Sequence, residues 1–393
     1  MSDVEPLRLN PGRLTPEHAA FRDSVRRFVA RELEPHAGGW DEAGGFPREL
    51  YGRAAAAGLL GLRFPEEFGG TPDADFLHTL ILCVELAQCG SGGVLASLLS
   101  HSIAAPPIAA LGSRELQLRT LPRILAGEWI AALAITEPSG GSDVAALRTT
   151  ARREGDVYVV NGEKTFITSG MRADVYTVAV RTDPSAQGAR GISLLLIERD
   201  TPGFTRTKLE KTGWWASDTA HLRFDAARVP AGTLLGAEGE GFRSIMHNFT
   251  AERFSMAALA LGFAWVCYGE ALEWARQRRT FGQRLVDHQV VRHKFVDMLA
   301  RIEANRALLE DLAWRLDHEG AADPAVVASV CMAKNTATRT LQFCADAAVQ
   351  TLGGMGYMRG TKAERIYREV KVSMIGGGAE EIMKDLAARQ LGL

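Results

Sequence analysis

Apolar residues recur at helical spacing through the first third of the chain. Phe21, Val25, Phe28 and Val29 share one helix face, with Thr15 placed to cap it and Pro16 in its first position. A second helix is expected over residues 49–60, stopping near Gly61. Residues 76–89 and 95–111 are mostly apolar and helix-prone, and residues 113–126 read as a short helical pair interrupted at Pro122. The period changes near Trp129. Val157-Tyr158-Val159-Val160 is β-branched and aromatic, and Asn161-Gly162 separates it from a second such run over 163–168, which predicts a hairpin. Residues 173–181, 191–198 and 221–224 are further strands. Beyond Gly241 the helical period returns, with long segments over 242–279, 288–318, 324–352 and 361–375 and a final helix after Gly378. The pattern is mainly α with a central β domain: an N-terminal helical domain over 1–128, a small β domain over 129–240 and a helical bundle over 241–393.

Composition narrows the classes. A chain of 393 residues with 46% hydrophobic and 23% charged residues is an ordinary globular protein of two or three domains. The net charge of −2 carries no signal for nucleic acid or an anionic membrane. The five cysteines (Cys83, Cys89, Cys267, Cys331 and Cys344) are odd in number and form no CxxC pair, which predicts a reducing compartment without disulfides or a zinc site. Residues 1–14 hold no apolar run of the signal-peptide kind. The uncharged apolar stretch 254–269 is shorter than the ~20 apolar residues a span requires, so a cytoplasmic protein with no membrane span is expected. The nine histidines are scattered, and His288 and His293, five apart, do not share a helix face, so no metal site is expected.

Two glycine-rich stretches bear on chemistry. In Ile135-Thr136-Glu137-Pro138-Ser139-Gly140-Gly141-Ser142-Asp143, a glycine pair flanked by hydroxyls can approach a phosphate or a flat ring closely, or can be a plain surface turn. Gly353-Gly354-Met355-Gly356 follows a helical run and lacks the preceding strand of a dinucleotide fingerprint, so it reads as a helix end or a close backbone approach.

The first of these stretches, together with 161–170 (NGEKTFITSG), 229–236 (VPAGTLLG), 279–282 (RTFG) and 350–357 (QTLGGMGY), occurs in the order and at the spacing of the acyl-CoA dehydrogenases. The chain resembles that family over residues 14 to 390. The resemblance implies a small β-barrel between an N-terminal helical domain and a C-terminal four-helix bundle, with FAD bound between barrel and bundle. Carried over by position, Ile135, Thr136, Gly141 and Ser142 and then Phe166, Ile167 and Thr168 would hold the flavin, with Ser142 also near the bound CoA. Arg278, Phe281 and Gln289 would reach the FAD of a neighbouring subunit, Gln350, Gly353 and Gly354 its diphosphate, and Ala379 and Glu381 the ribose side. A homotetramer, an acyl-CoA substrate and an electron-transfer flavoprotein as electron acceptor follow from the same likeness. Without it, Phe166 would be taken for a core aromatic in a hairpin, and Arg278 and Arg279 for a solvated helix end.

The reaction so implied removes an α-proton from the thioester, which requires a positioned carboxylate. Most of the family carries that glutamate in a late aromatic-Glu-Gly-Thr segment; here the aromatic is Gly376, the glutamate Gly377 and the threonine Ala379. Glu252, in the Glu252-Arg253 pair that opens a long apolar helix stretch, matches the base of the isovaleryl-CoA and long-chain acyl-CoA dehydrogenases, which carry a small residue at the later position. Phe249, Arg253, Gly377 and Ser142 are then expected around the substrate, with Arg253 orienting Glu252 or the thioester. The plainer readings are a first-turn helix residue for Glu252 and an ion pair within the helix for Arg253. Glu380 and Glu381 are rival carboxylates placed by the likeness near the ribose. The expected function is FAD-dependent α,β-desaturation of an acyl-CoA. The alternatives are an oxidase or monooxygenase of the same fold, and a non-catalytic acyl-CoA-binding relative that has lost its base.

Overall fold

The computed structural model describes residues 7–393 apart from Gln187. Eight helices come first: α1 (Pro16–Phe28), α2 (Ala37–Ala43), α3 (Glu49–Ala56), α4 (Phe76–Leu86), α5 (Gly92–Leu98), α6 (His101–Ala104), α7 (Pro106–Leu111) and α8 (Arg114–Leu125). α1 begins as its sequence demands: the Thr15 hydroxyl accepts from the His18 N–H, and the His18 ring accepts from the Thr15 N–H. Asp75 and His78 open α4 in the same way. α3 stops short of the expected Leu60 because Gly58, at φ 74°, turns left-handed and lets the Leu59 N–H reach back to the Ala54 carbonyl. The run 95–111 is not one helix but parts of three, divided where Pro106 lacks an N–H to continue the ladder. Pro122, by contrast, sits inside the continuous α8. Leu121, Ile124 and Leu125 around it are all buried in one apolar cluster, and their burial outweighs the ~3 kcal/mol that an internal proline costs.

The caps of α1 and α4 also meet. His18 Nε2 lies 3.1 Å from the Asp75 carboxylate and His78 Nδ1 lies 2.8 Å from it, a His-Asp-His grouping that the scattered sequence positions do not foretell. The His78 contact belongs to the capping box of α4, the His18 Nε2 contact ties the cap of α1 to it, and Asp75, despite burial, is held well below the usual carboxylate range by its hydrogen bonds to the two histidines.

Between α8 and the bundle lies one sheet of eight strands: β1 (Ala131–Ala134), β2 (Thr150–Glu154), β3 (Val157–Thr168), β4 (Val175–Arg181), β5 (Ile192–Glu198), β6 (Phe204–Lys208), β7 (Thr219–Pro230) and β8 (Leu234–Leu235). Their order is β6-β7-β3-β2-β4-β5-β8, with β1 beside β4. The hairpin predicted at Asn161-Gly162 does not form. β3 runs through both residues as a single strand, and its register on β7 shifts there. Asn161 Oδ1 accepts from the Ala226 N–H, and a Cβ on Gly162 would come within 2.6 Å of Thr149, so the Asn-Gly pair makes a bulge and a close approach rather than a turn. The hairpin turn comes earlier, at Gly155 between β2 and β3.

The bundle comprises α9 (Gly241–Gln277), α10 (Gln289–His318), α11 (Pro324–Leu352), α12 (Gly354–Tyr357), α13 (Lys362–Ile375) and α14 (Glu380–Leu391). α9 contains an apolar window long enough to cross a bilayer, but Phe254, Ala257, Ala258, Leu261 and Ala264 are buried in the main core with side chains of α4, α10 and α11. All five cysteines are free and buried. The N-cap of α14 is Ala379, which has no side chain to accept from the first turn. Ala379→Thr is therefore expected to stabilise the protein by about 1 kcal/mol, read as a rise in melting temperature of about one degree.

Candidate active site

Glu252 lies well inside α9, not in its first turn, because the helix begins eleven residues earlier at Gly241. The helix dipole therefore gives no account of it. The residue is half-buried, but its Oε2 is shut off from solvent and has no hydrogen-bond partner among the described residues. Burial pushes its pKa up to about 7, against the opposing pull of Arg253 and Lys334. A carboxylate with an unoccupied lone pair and a pKa near neutrality is what proton abstraction requires.

The turn between α13 and α14 lies opposite. A Cβ placed on Gly377 would sit 3.7 Å from Glu252 Oε1 and 2.5 Å from Met256 Sδ. A side chain at 377 and the carboxylate at 252 would thus enter the same space, and the chain has a carboxylate on one side and a glycine on the other. Gly377 and Gly378 also hold φ of 64° and 112°, conformations that favour glycine. The Arg253 Nε donates to the Gly377 carbonyl at 3.0 Å, and its guanidinium lies 5.2 Å from the Phe249 ring centre. Phe249, Glu252, Arg253 and Gly377 are therefore brought together. Arg253 bonds the turn and an aromatic face, not Glu252, so it is not the simple ion pair that the sequence also allowed.

A second group gathers where β1 ends. Glu137 accepts from the backbone N–H groups of Arg148 (2.6 Å) and Thr149 (2.8 Å) and from Lys164 Nζ at 2.8 Å. Lys164 also donates to the Ile135 carbonyl. Lys164 is fully buried and Glu137 nearly so. Burial brings the Lys164 pKa down to about 8 despite its partner. For Glu137, burial opposes ionisation, but Lys164 and the N–H donors win and hold its pKa below the usual range. The Thr165 N–H completes the join by donating to the Thr136 carbonyl at 2.8 Å. The loop with Thr136, Gly141 and Ser142 is thus tied to the end of β3 with Phe166 and Thr168.

Phe166 is not a core residue. It is 70% exposed, at φ 60°, where the β3 ladder shifts register between Lys164 and Ile167. Gly140, Gly141 and Ser142 are exposed and Thr168 is half-buried, whereas the side chains of Ile135 and Ile167 point into the core. These two can offer a ligand only their backbone. An exposed aromatic ring beside an exposed loop of small residues suits a flat aromatic ligand.

The third set is at the surface. Arg278, Gln289, Gln350, Gly353, Gly354 and Glu381 are exposed, and Phe281 is 98% exposed at φ 51°. Gly353 ends α11 as the sequence suggested. Tyr357, Met355 and Met358 near it are also exposed, which leaves an apolar surface of the kind that another molecule covers. Glu380 is bound by Arg339 and Lys384, and the Arg339 hydrogen bond chiefly holds its pKa down to about 2, so it is a poor base. Sequence reasoning missed Met256 and Lys334. Lys334 is fully buried and donates to the Gly378 carbonyl at 2.7 Å and the Met374 carbonyl at 3.4 Å. The signal was a lysine at helical spacing from Val330 and Ala337 on a largely apolar helix.

Three family models match in sequence: the acyl-CoA dehydrogenase N-terminal domain over residues 15–128, the middle domain over 132–227 and the C-terminal domain over 239–392. The long-chain specific acyl-CoA dehydrogenase of Rattus norvegicus mitochondria is 38% identical over 95% of this chain and 86% of its own. The crystal structure of a putative acyl-CoA dehydrogenase from Mycobacterium smegmatis is 44% identical with a TM-score of 0.93, covering 96% of this chain and 98% of that one. A glutaryl-CoA dehydrogenase from the same organism, solved in complex with FADH2, is 27% identical with a TM-score of 0.88 over 97% of this chain and 95% of its own. By sequence over nearly its whole length and by fold, this chain belongs to the acyl-CoA dehydrogenase family.

Proposed function

We propose that this protein is an FAD-dependent acyl-CoA dehydrogenase in which Glu252 takes the α-proton of the thioester. The observation that carries the reading is the carboxylate of Glu252, whose solvent-shielded Oε2 has no hydrogen-bond partner among the described residues and whose Oε1 faces the glycine turn at Gly377. The half-buried side of Glu252 is the route by which an acyl Cα reaches it, and Phe249, Arg253 and the 376–378 turn border that space. Arg253 holds the turn in place, and the exclusion of water keeps the carboxylate a strong enough base at neutral pH.

FAD would be held by Thr136, Gly141, Ser142, Phe166 and Thr168, with backbone groups of Ile135 and Ile167, and when bound it accepts the hydride that leaves Cβ. The glutaryl-CoA dehydrogenase solved with FADH2 supports this assignment. Ser142, exposed on the loop, is free to meet the CoA. The exposed Arg278, Phe281, Gln289, Gln350, Gly353 and Gly354, with Ala379 and Glu381, would serve the cofactor across a subunit contact. Their exposure alongside Tyr357 and Met358 supports a homo-oligomer, a tetramer in our reading. Electrons would pass to an electron-transfer flavoprotein. The likeness to a long-chain enzyme and the glycines at 376 and 377 favour a long or branched acyl group.

The test is anaerobic titration of the purified flavoprotein with straight and branched acyl-CoAs, following bleaching of the oxidised flavin. Bleaching by one chain class supports the reading. No bleaching with any thioester would sink it, and rapid reoxidation of the reduced flavin by oxygen would point to an oxidase of the same fold. The reduction rate is expected to rise with pH through about 7, as Glu252 ionises.

A further inference from the structure

Lys334 is a fully buried cation with two acceptors among the described residues, the carbonyls of Gly378 and Met374. An ammonium removed from water is costly unless a negative charge lies near it. Glu380, on the far side of the turn, is already engaged by Arg339 and Lys384. That leaves Glu252, which meets the same turn: Lys334 Nζ lies 2.7 Å from the Gly378 carbonyl, and Glu252 Oε1 lies 3.7 Å from the Cβ position of Gly377, with no hydrogen bond between the two side chains among the described residues. The arrangement has a chemical consequence. A direct salt bridge would fix an N–H on the carboxylate lone pair that must receive the proton. A cation held back by two backbone carbonyls favours the charged carboxylate and leaves its lone pairs open.

We propose that Lys334 is a positioning residue for the desaturation: anchored to the Met374 and Gly378 carbonyls, its ammonium keeps Glu252 ionised without bonding to it, and so sets the pH at which the base works. This inference rests on the reading of Glu252 as the base. The groups that bear on Glu252 from the packed elements are few among the described residues. Arg253 is on its own helix and is committed to Gly377. Lys334 is on α11; Cys331, on the same helix, bears on Arg253 and Lys334 rather than on Glu252, and burial pushes its thiol up so that it stays neutral at the pH of interest. The turn at 376–378 contributes only glycines.

The experiment compares Lys334→Gln, Lys334→Met and Lys334→Arg with wild type and Glu252→Gln, each as the FAD-loaded protein. Two quantities are measured across pH: the rate of flavin reduction by a thioester, and the protonated-carboxyl infrared band of Glu252, assigned by its loss in Glu252→Gln. The infrared readout needs no turnover. Lys334→Gln keeps a donor for the turn but removes the charge, and it carries the test should Lys334→Met fold poorly. The expected result is that both midpoints rise together by about one unit in Lys334→Gln, with up to tenfold slower reduction at pH 7 that recovers at higher pH, while Lys334→Arg stays near wild type. Unshifted midpoints in a Lys334→Gln protein that retains FAD, beside an inactive Glu252→Gln, would overturn the role of Lys334 and leave the base assignment standing. If Glu252→Gln itself reduces its flavin normally, the base assignment falls and this inference falls with it.

Discussion

Glu252→Gln is expected to yield a folded, yellow protein whose flavin reduction by acyl-CoA is about 10²–10⁴-fold slower than in wild type, the usual worth of a positioned general base. The substitution keeps the shape and removes only the capacity to accept a proton. It should not cost stability. The folded-state pKa of Glu252 is raised, chiefly by burial, above the ordinary carboxylate value. A group raised in this way favours folding below the unfolded pKa, and that contribution is lost as pH rises through about 7. Above pH 7 the charged glutamate is therefore a burden to the folded state that a neutral glutamine lacks. Melting temperatures taken between pH 5 and 9 are expected to show Glu252→Gln gaining on wild type as the pH increases. A variant that reduces its flavin at the wild-type rate would place the base elsewhere. A variant that fails to fold would show that the carboxylate has a structural duty the structure does not reveal.

Lys164→Met is expected to have the second large effect, through architecture rather than chemistry. Lys164 and Glu137 form a buried pair, and removal of the cation strands a carboxylate that keeps only the Arg148 and Thr149 N–H donors. Breaking one side of such a pair typically costs 3–5 kcal/mol. Because the pair joins the Thr136 loop to the end of β3, the damage should appear at the cofactor site before it appears globally. We expect the variant to be purified with little FAD and to melt well below wild type. Glu137→Gln with Lys164→Met, which removes both charges, should recover much of the lost stability, as replacement of both members of a buried pair often does. Thermal melts with and without added FAD check both points. Full FAD occupancy in Lys164→Met would show that the loop holds its place without the pair.

The likeness to relatives with an early base and the glycine at 377 point to Glu252 in the sequence, and the helix expected over 242–279 forms over Gly241–Gln277, so the plainer reading of Glu252 as a first-turn residue does not hold. Phe166 marks a limit of local reading. An aromatic in a β-branched run reads as core, yet the register shift beside Ile167 turns it out to the surface. Asn161-Gly162 carried the strongest hairpin signal in the chain and makes a bulge, because β7 supplies a partner for both halves of β3 and the turn is taken at Gly155. At Phe166 and at Asn161-Gly162 the local sequence permits more than one outcome, and a distant segment chooses among them.

The sequence by itself determined the helical caps at Thr15, the extents of the long bundle helices, the change from helical to strand period near Trp129 and the family motifs in order. These are local properties, set by side-chain periodicity, proline and capping over a few residues. Only the tertiary structure decided that Lys164 closes on Glu137, that His18 meets Asp75, that Lys334 reaches the carbonyls of the 374–378 turn, and that Glu252 and Gly377 face one space. Those pairs are separated by 27, 57, 44 and more than 100 residues along the chain. What joins them is the burial of charged groups, whose cost depends on the partner that packing brings within reach, and spacing along a sequence does not encode it.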